Sequence, residues 1–142
     1  MAGYFLEDLS VGQTAELERY VSEEAVNAFA AISGDTNPLH LDEAFARTTA
    51  FKTRVAHGML SGSYISAVLG AHLPGPGGVY VSQTLSFKRP VHIGDEVIAR
   101  VTVTAIDAKK GHVTFKTACL VKGKVMVQGE AIVVVPRRPA QA

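Results

Sequence analysis

With 142 residues, 47% of them hydrophobic and 19% charged, the chain is sized for one domain with a full core and is not a disordered segment. Its 14 Lys and Arg against 13 Asp and Glu give a net charge of +1, which excludes an electrostatic nucleic-acid binder. One cysteine, Cys119, excludes an intrachain disulfide framework and a cysteine metal site; it falls in the apolar run 117–121 and is expected to be a small core residue.

Residues 1–13 carry acids and no long apolar run, so no signal peptide is expected and cytoplasmic residence is the default. The first predicted helix opens at Ser22. Its hydroxyl can cap the helix, Glu23 and Glu24 meet the positive end of the dipole, and Val21 can staple onto Val26. Val26, Phe29 and Ala30 form a buried stripe at helical spacing, and Gly34 ends the helix. Asp35-Thr36-Asn37-Pro38-Leu39-His40 follows. Pro38 fixes its own φ and biases Asn37 away from the helical region, while Asp and Asn build local side-chain-to-backbone turns, so a rigid corner is predicted. A short helix over about 42–47 comes next.

Between Arg54 and Lys88 there is no charged residue. From Gly58 to about His72 this stretch reads as a helix apolar on nearly every side, which belongs in a core or a membrane. It falls short of the ~20 apolar residues a span needs, and it contains serines and glycines, so a central buried helix is predicted. Gly62, Ser66 and Gly70 recur every fourth residue, giving a face of small side chains that permits close approach of a sheet, a helix or a ligand. Residues 73–78 read as a loop. Strands follow over 79–87, from Val97 to Ala105, over 112–121 and over 125–135, joined by tight turns at 109–111 and 122–124. The fold class is therefore α+β: a long antiparallel sheet with one buried helix. A single domain is predicted over 1–142, its core at about 11–135 and an exposed tail over 136–142.

Asp35 and His40, five residues apart across a proline turn, can aim a carboxylate and an imidazole at one water, as proton transfer requires. A glycine C-cap and an Asx turn with His40 packed nearby explain the same residues. From spacing alone this second reading is favoured, because such turns are common.

Residues beyond the pair change that balance. Ser33 to Asp42, with its Gly-Asp-x-Asn-Pro-Leu-His core, resembles the hydratase motif of the MaoC-like family. Arg54-Val55-Ala56-His57-Gly58-Met59-Leu60 resembles that family's second block, and the similarity runs from about Val11 to Val135. The chain is similar to the short (R)-specific enoyl-CoA hydratases that supply monomers for polyhydroxyalkanoate synthesis. The resemblance implies a hot-dog fold, a homodimer, and Asp35 and His40 as catalytic pair facing a tunnel. It implies hydration of a trans-2-enoyl-CoA to an (R)-3-hydroxyacyl-CoA, with short chains expected.

On this reading Asp35 is the main base and His40 its partner in holding water. The Gly58 amide, at a helix start where free N–H groups favour negative charge, is the expected oxyanion donor. His57 is expected to cap or pack. Asn37 and Ser66 are expected at the substrate, and Leu69 is expected to limit acyl length. Lys52, Arg54, Lys88 and Arg89 are candidates for the coenzyme A phosphates. Coenzyme A is part of the substrate. No cofactor, metal, nucleic acid or membrane partner is expected: the glycines at 75, 77 and 78 are no nucleotide fingerprint, and the five histidines are scattered. Rival readings are an acyl-CoA thioesterase of the same fold, a dehydratase acting on acyl carrier protein, and a non-catalytic acyl-binding subunit.

Overall fold

The computed structural model describes residues 3–140; the last two residues of the expected tail lie outside them. Strand β1 (Thr14–Tyr20) comes first and was not legible in the sequence. Helix α1 (Glu23–Ser33) follows. The Ser22 hydroxyl accepts the Ala25 N–H at 3.0 Å, and Gly34 ends the helix at φ 79°, as its lack of a side chain allows. Two single-turn helices, α2 (Pro38–Leu41) and α3 (Glu43–Ala46), then lead through an irregular segment into α4 (Gly58–Ala71).

Strands β2 (Val79–Gln83), β3 (Ser86–Phe87), β4 (Glu96–Asp107), β5 (His112–Val121) and β6 (Lys124–Val134) complete the chain. The antiparallel sheet runs β1-β4-β5-β6-β2, with β3 also on β6. The β4-β5-β6 meander is as predicted. Two details differ. Val97, Ala99, Val101 and Val103 alternate inward as expected, but a register shift between Val103 and Ala105 turns Ala105 outward. The single strand expected over 79–87 is broken at Thr84 and Leu85. There the chain passes so close to Gly129 of β6 that a Cβ at 129 would lie 1.7 Å from the Thr84 carbonyl oxygen.

Helix α4 packs on the sheet through Leu60, Tyr64, Ile65, Val68 and Leu69, against Val97, Val101 and Phe115 among others in one core. Only that half is covered. Met59, Ser63, Ser66 and Gly70 are exposed, so the prediction of a helix enclosed on every side holds for one face of the single chain. A long helix laid across one antiparallel sheet is the arrangement a hot-dog fold implies. No helix among the described residues is long and apolar enough to cross a membrane.

The core also begins earlier than expected: Leu6 and Leu9 are buried in it. Residues 136–140 are exposed, yet not loose. The Pro136 carbonyl accepts from Leu6 N–H, the Arg138 N–H reaches the Glu7 carboxylate, and its guanidinium pairs with Asp8. Cys119 is the small core residue expected. Burial pushes its thiol up to about 12, and Sγ sits 3.4 Å from the Ser61 carbonyl oxygen, so it is unreactive.

Candidate active site

The segment after α1 is built by three short side chains, each bonding the backbone two residues on. Ser33 Oγ accepts the Asp35 N–H (3.1 Å), Asp35 Oδ1 accepts the Asn37 N–H (3.1 Å), and Asn37 Oδ1 accepts the Leu39 N–H (3.0 Å). Pro38 then supplies the first residue of α2. The rigid corner is thus real, and it ends in a helical turn instead of a loop. Asn37 uses its side-chain oxygen as the cap of α2, supports the corner, and is not among the residues lining the cavity described below.

His40 is buried at 9% exposure, and its Nδ1 lies 2.7 Å from the Val55 carbonyl oxygen. A carbonyl only accepts, so the proton is on Nδ1 and Nε2 keeps a bare lone pair. Arg54 holds the same turn from behind: Nε donates to the His40 carbonyl at 2.8 Å, and Nη1 pairs with Glu23 at 2.8 Å. Arg54 is therefore committed to the framework and is not free for phosphates. Glu43 fastens the other end, accepting from the Thr53 hydroxyl (2.7 Å) and the Arg54 N–H (2.8 Å).

The Thr53 hydroxyl first, and the Arg54 N–H second, hold the Glu43 carboxyl below its ordinary 4.5. A lowered folded value means stabilisation that is full above the unfolded value and lost as pH falls through the folded one. Glu43→Gln is accordingly expected to lower Tm at neutral pH, and the gap from wild type should close as pH drops below 4.5. Thermal melts across that range test it; a gap independent of pH would rule out the carboxylate as its source.

His57 sits on the other side of the His40 ring. The rings stack with centroids 4.0 Å apart and 29° between planes, and Phe29 lies 4.9 Å from His57. His57 Nε2 is 3.0 Å from the Asp35 carbonyl oxygen. His57 is the N-cap residue of α4, but no side chain caps that helix; of the two expected roles, it packs and does not cap. The start of α4, where a helix has unpaired peptide N–H groups, borders a cavity of about 650 Å³ lined by Asp35, His40, His57, Gly58, Met59 and Phe87, among others. Gly58 is glycine for a reason not visible in the sequence: a Cβ there would lie 2.7 Å from the Phe87 ring. Lys88 and Arg89 also line this cavity, and Arg89 Nη1 donates to the Val125 carbonyl.

Ser66 falls elsewhere. It lines a second cavity of about 460 Å³ with Phe29, Gly62, Tyr80, Gln83 and Leu85, and Met59 borders both. Gln83 is fixed there by donating to Thr117 Oγ1 at 2.9 Å and accepting the Tyr80 hydroxyl at 2.8 Å. Leu69 lines neither cavity; it is 4% exposed, on the core side of α4. Leu69 thus lies on the core face of α4, whereas Ser66 and Gly70 lie on the open face. Leu69→Ala should cost about 2–5 kcal/mol of stability, as for other buried leucines. Urea unfolding measures that; a variant of wild-type stability would show that Leu69 adds nothing to the core packing.

Asp35, His40 and His57 each bring one potential ligand atom to within 4.8 Å of the others. The arrangement suits proton handling: a carboxylate and a bare imidazole nitrogen at the start of an uncapped helix.

The family model for the MaoC like domain matches residues 9–125. The chain belongs to the MaoC-like family. Among MaoC-like relatives it is 56% identical over 135 residues, covering 95% of this chain and 94% of the relative, to an (R)-specific enoyl-CoA hydratase of Rhodospirillum rubrum. It is 47% identical to a 3-hydroxybutyryl-CoA dehydratase of Methylorubrum extorquens, over 94% of this chain and 85% of that one. The structure of an (R)-hydratase of A. caviae involved in PHA biosynthesis superposes with a TM-score of 0.88 at 50% identity, covering 92% and 99% of the two chains. These MaoC-like neighbours fix the fold as hot-dog.

Proposed function

We propose that the chain adds water across the double bond of a trans-2-enoyl-CoA, giving the (R)-3-hydroxyacyl-CoA, with Asp35 and His40 holding the water. The observation that carries this reading is that Asp35 and His40 both line the cavity and can both accept, through the carboxylate and through Nε2 of a ring whose Nδ1 meets the Val55 carbonyl. A water donating one O–H to each keeps an oxygen lone pair free to attack C3. As the O–C3 bond forms, the π pair moves toward the thioester oxygen. The first-turn N–H groups of α4, Gly58 first, stabilise that charge. One acceptor takes the water proton and a proton is delivered to C2 on the same face. Asp35, being anionic, is the main base, and His40 is the partner.

This addition moves no electrons to or from an external carrier, so it calls for no cofactor beyond the coenzyme A of the substrate. Lys88 and Arg89 line the cavity, which supports them as the candidates for its phosphates. The single buried cysteine suits a reducing compartment, which supports cytoplasmic residence. The reading is tested by following loss of the conjugated absorbance of crotonyl-CoA, then resolving the product enantiomers. Thiol release without hydration would indicate the thioesterase reading instead, and activity confined to acyl carrier protein thioesters would move the carrier assignment.

The working unit proposed is a homodimer. Strand β2 ends the sheet, its Val79, Tyr80 and Val81 are exposed, and the open face of α4 lies over the second cavity. A second copy paired at this edge would cover all three, as an exposed edge requires. Light scattering is expected to give twice the chain mass; a monomer that stays fully active at high dilution would contradict it.

A further inference from the structure

His57 is 2% exposed, and neither capping nor core filling accounts for a histidine there. It occupies the N-cap position of a 14-residue helix without capping it, where Ser, Thr, Asp or Asn is the usual choice. Its Nδ1 is buried with no hydrogen-bond partner. An aliphatic or phenyl side chain would fill the same space without burying an unpaired nitrogen, which is costly. Capping and core filling therefore leave the residue unexplained.

Its two directed contacts do explain it. Nε2 lies 3.0 Å from the Asp35 carbonyl oxygen, which fixes the proton on Nε2 and ties α4 to a peptide 22 residues earlier. Its ring face lies on His40 at 4.0 Å. His40 is anchored through its own Cβ and, at Nδ1, by the Val55 carbonyl, which leaves tilting of the ring plane about that axis to be restrained. The stack fixes the plane, so Nε2 has one direction. We propose that His57 is a positioning residue, which sets the Asp35 backbone and the His40 ring in register around the reacting water. The inference rests on the catalytic roles given above to Asp35 and His40.

Three variants separate its contacts. His57→Gln keeps an N–H donor without the stacked ring, His57→Phe keeps a ring without the donor, and His57→Leu keeps neither. His57→Leu is expected to lower kcat about 10²-fold, the scale of a small misplacement of reacting groups. KM should stay within about threefold, and Gln and Phe should each recover part of the loss. In an Asp35→Asn background the further loss from His57→Leu should shrink to about threefold or less, because it acts through the same groups.

Wild-type kcat in all three variants, equal losses in all three, or losses that multiply fully with Asp35→Asn would each overturn the proposal. If His57→Leu does not fold, nitrogen-15 spectra of the wild-type rings carry the test. They should show His57 protonated on Nε2 and His40 on Nδ1, and the reverse pattern overturns it. A wild-type protein inactive on enoyl-CoA would count against the hydratase reading, and the ring spectra would still decide the geometry.

Discussion

Asp35→Asn is expected to cut enoyl-CoA hydration by about 10²–10⁴-fold, the usual cost of removing a positioned acid or base. The substitution is close to isosteric, and the turn around it should survive. Asp35 Oδ1 accepts the Asn37 N–H at 3.1 Å, and the amide oxygen of asparagine can do the same. The residue is exposed, so no core contact is at stake. What disappears is the negative charge and the basic oxygen facing the water. A purified variant with a native melting curve and wild-type turnover would remove Asp35 from the chemistry.

His40→Ala is expected to lose activity on the same scale, about 10²–10⁴-fold, with a different structural signature. The ring is buried, so its removal leaves the Val55 carbonyl without its donor and opens a hole beside His57. A stability loss of about 1–3 kcal/mol should accompany the rate loss. The Asp35→Asn/His40→Ala protein should turn over little more slowly than the worse single variant, because both residues act on one water. Rate losses that multiply in the double variant would mean that the two groups serve separate steps.

What the sequence made legible was whatever depends on neighbours along the chain. Ser22, Gly34 and the small residues of α4 announce their elements because caps, helix ends and faces are local. Strand β1 was missed because Thr14 to Tyr20 is short, carries three charges and pairs with a strand more than seventy residues on. The break at Thr84 depends on Gly129, a residue of another strand. The phase of α4 was ambiguous for a related reason: with no charge on either side, periodicity could not tell the core face of Leu69 from the open face of Ser66. At the site, Asp35 and His40 stood out through the family motif. His57 did not, because a histidine at a helix start reads as a cap until its partner at Asp35 is seen.

The bond from His40 to the Val55 carbonyl has a consequence for how the active site can change over time. Val55 lies three residues before Gly58, so the imidazole is anchored to the very segment whose next peptides form the start of α4. The imidazole that helps hold the water and the part that meets the developing charge are thus bolted to one short stretch of backbone. If the sheet breathes or the surrounding loops shift, both travel together and their spacing is kept. The wall from Phe87 to Val91 comes from a different part of the chain and joins this stretch through the backbone, the Val91 carbonyl accepting the Ala56 N–H at 2.7 Å, a bond that no side chain supplies. Substitutions there can reshape what the cavity admits while the chemical groups keep their relation to each other, so new substrate ranges can evolve without rebuilding the reaction.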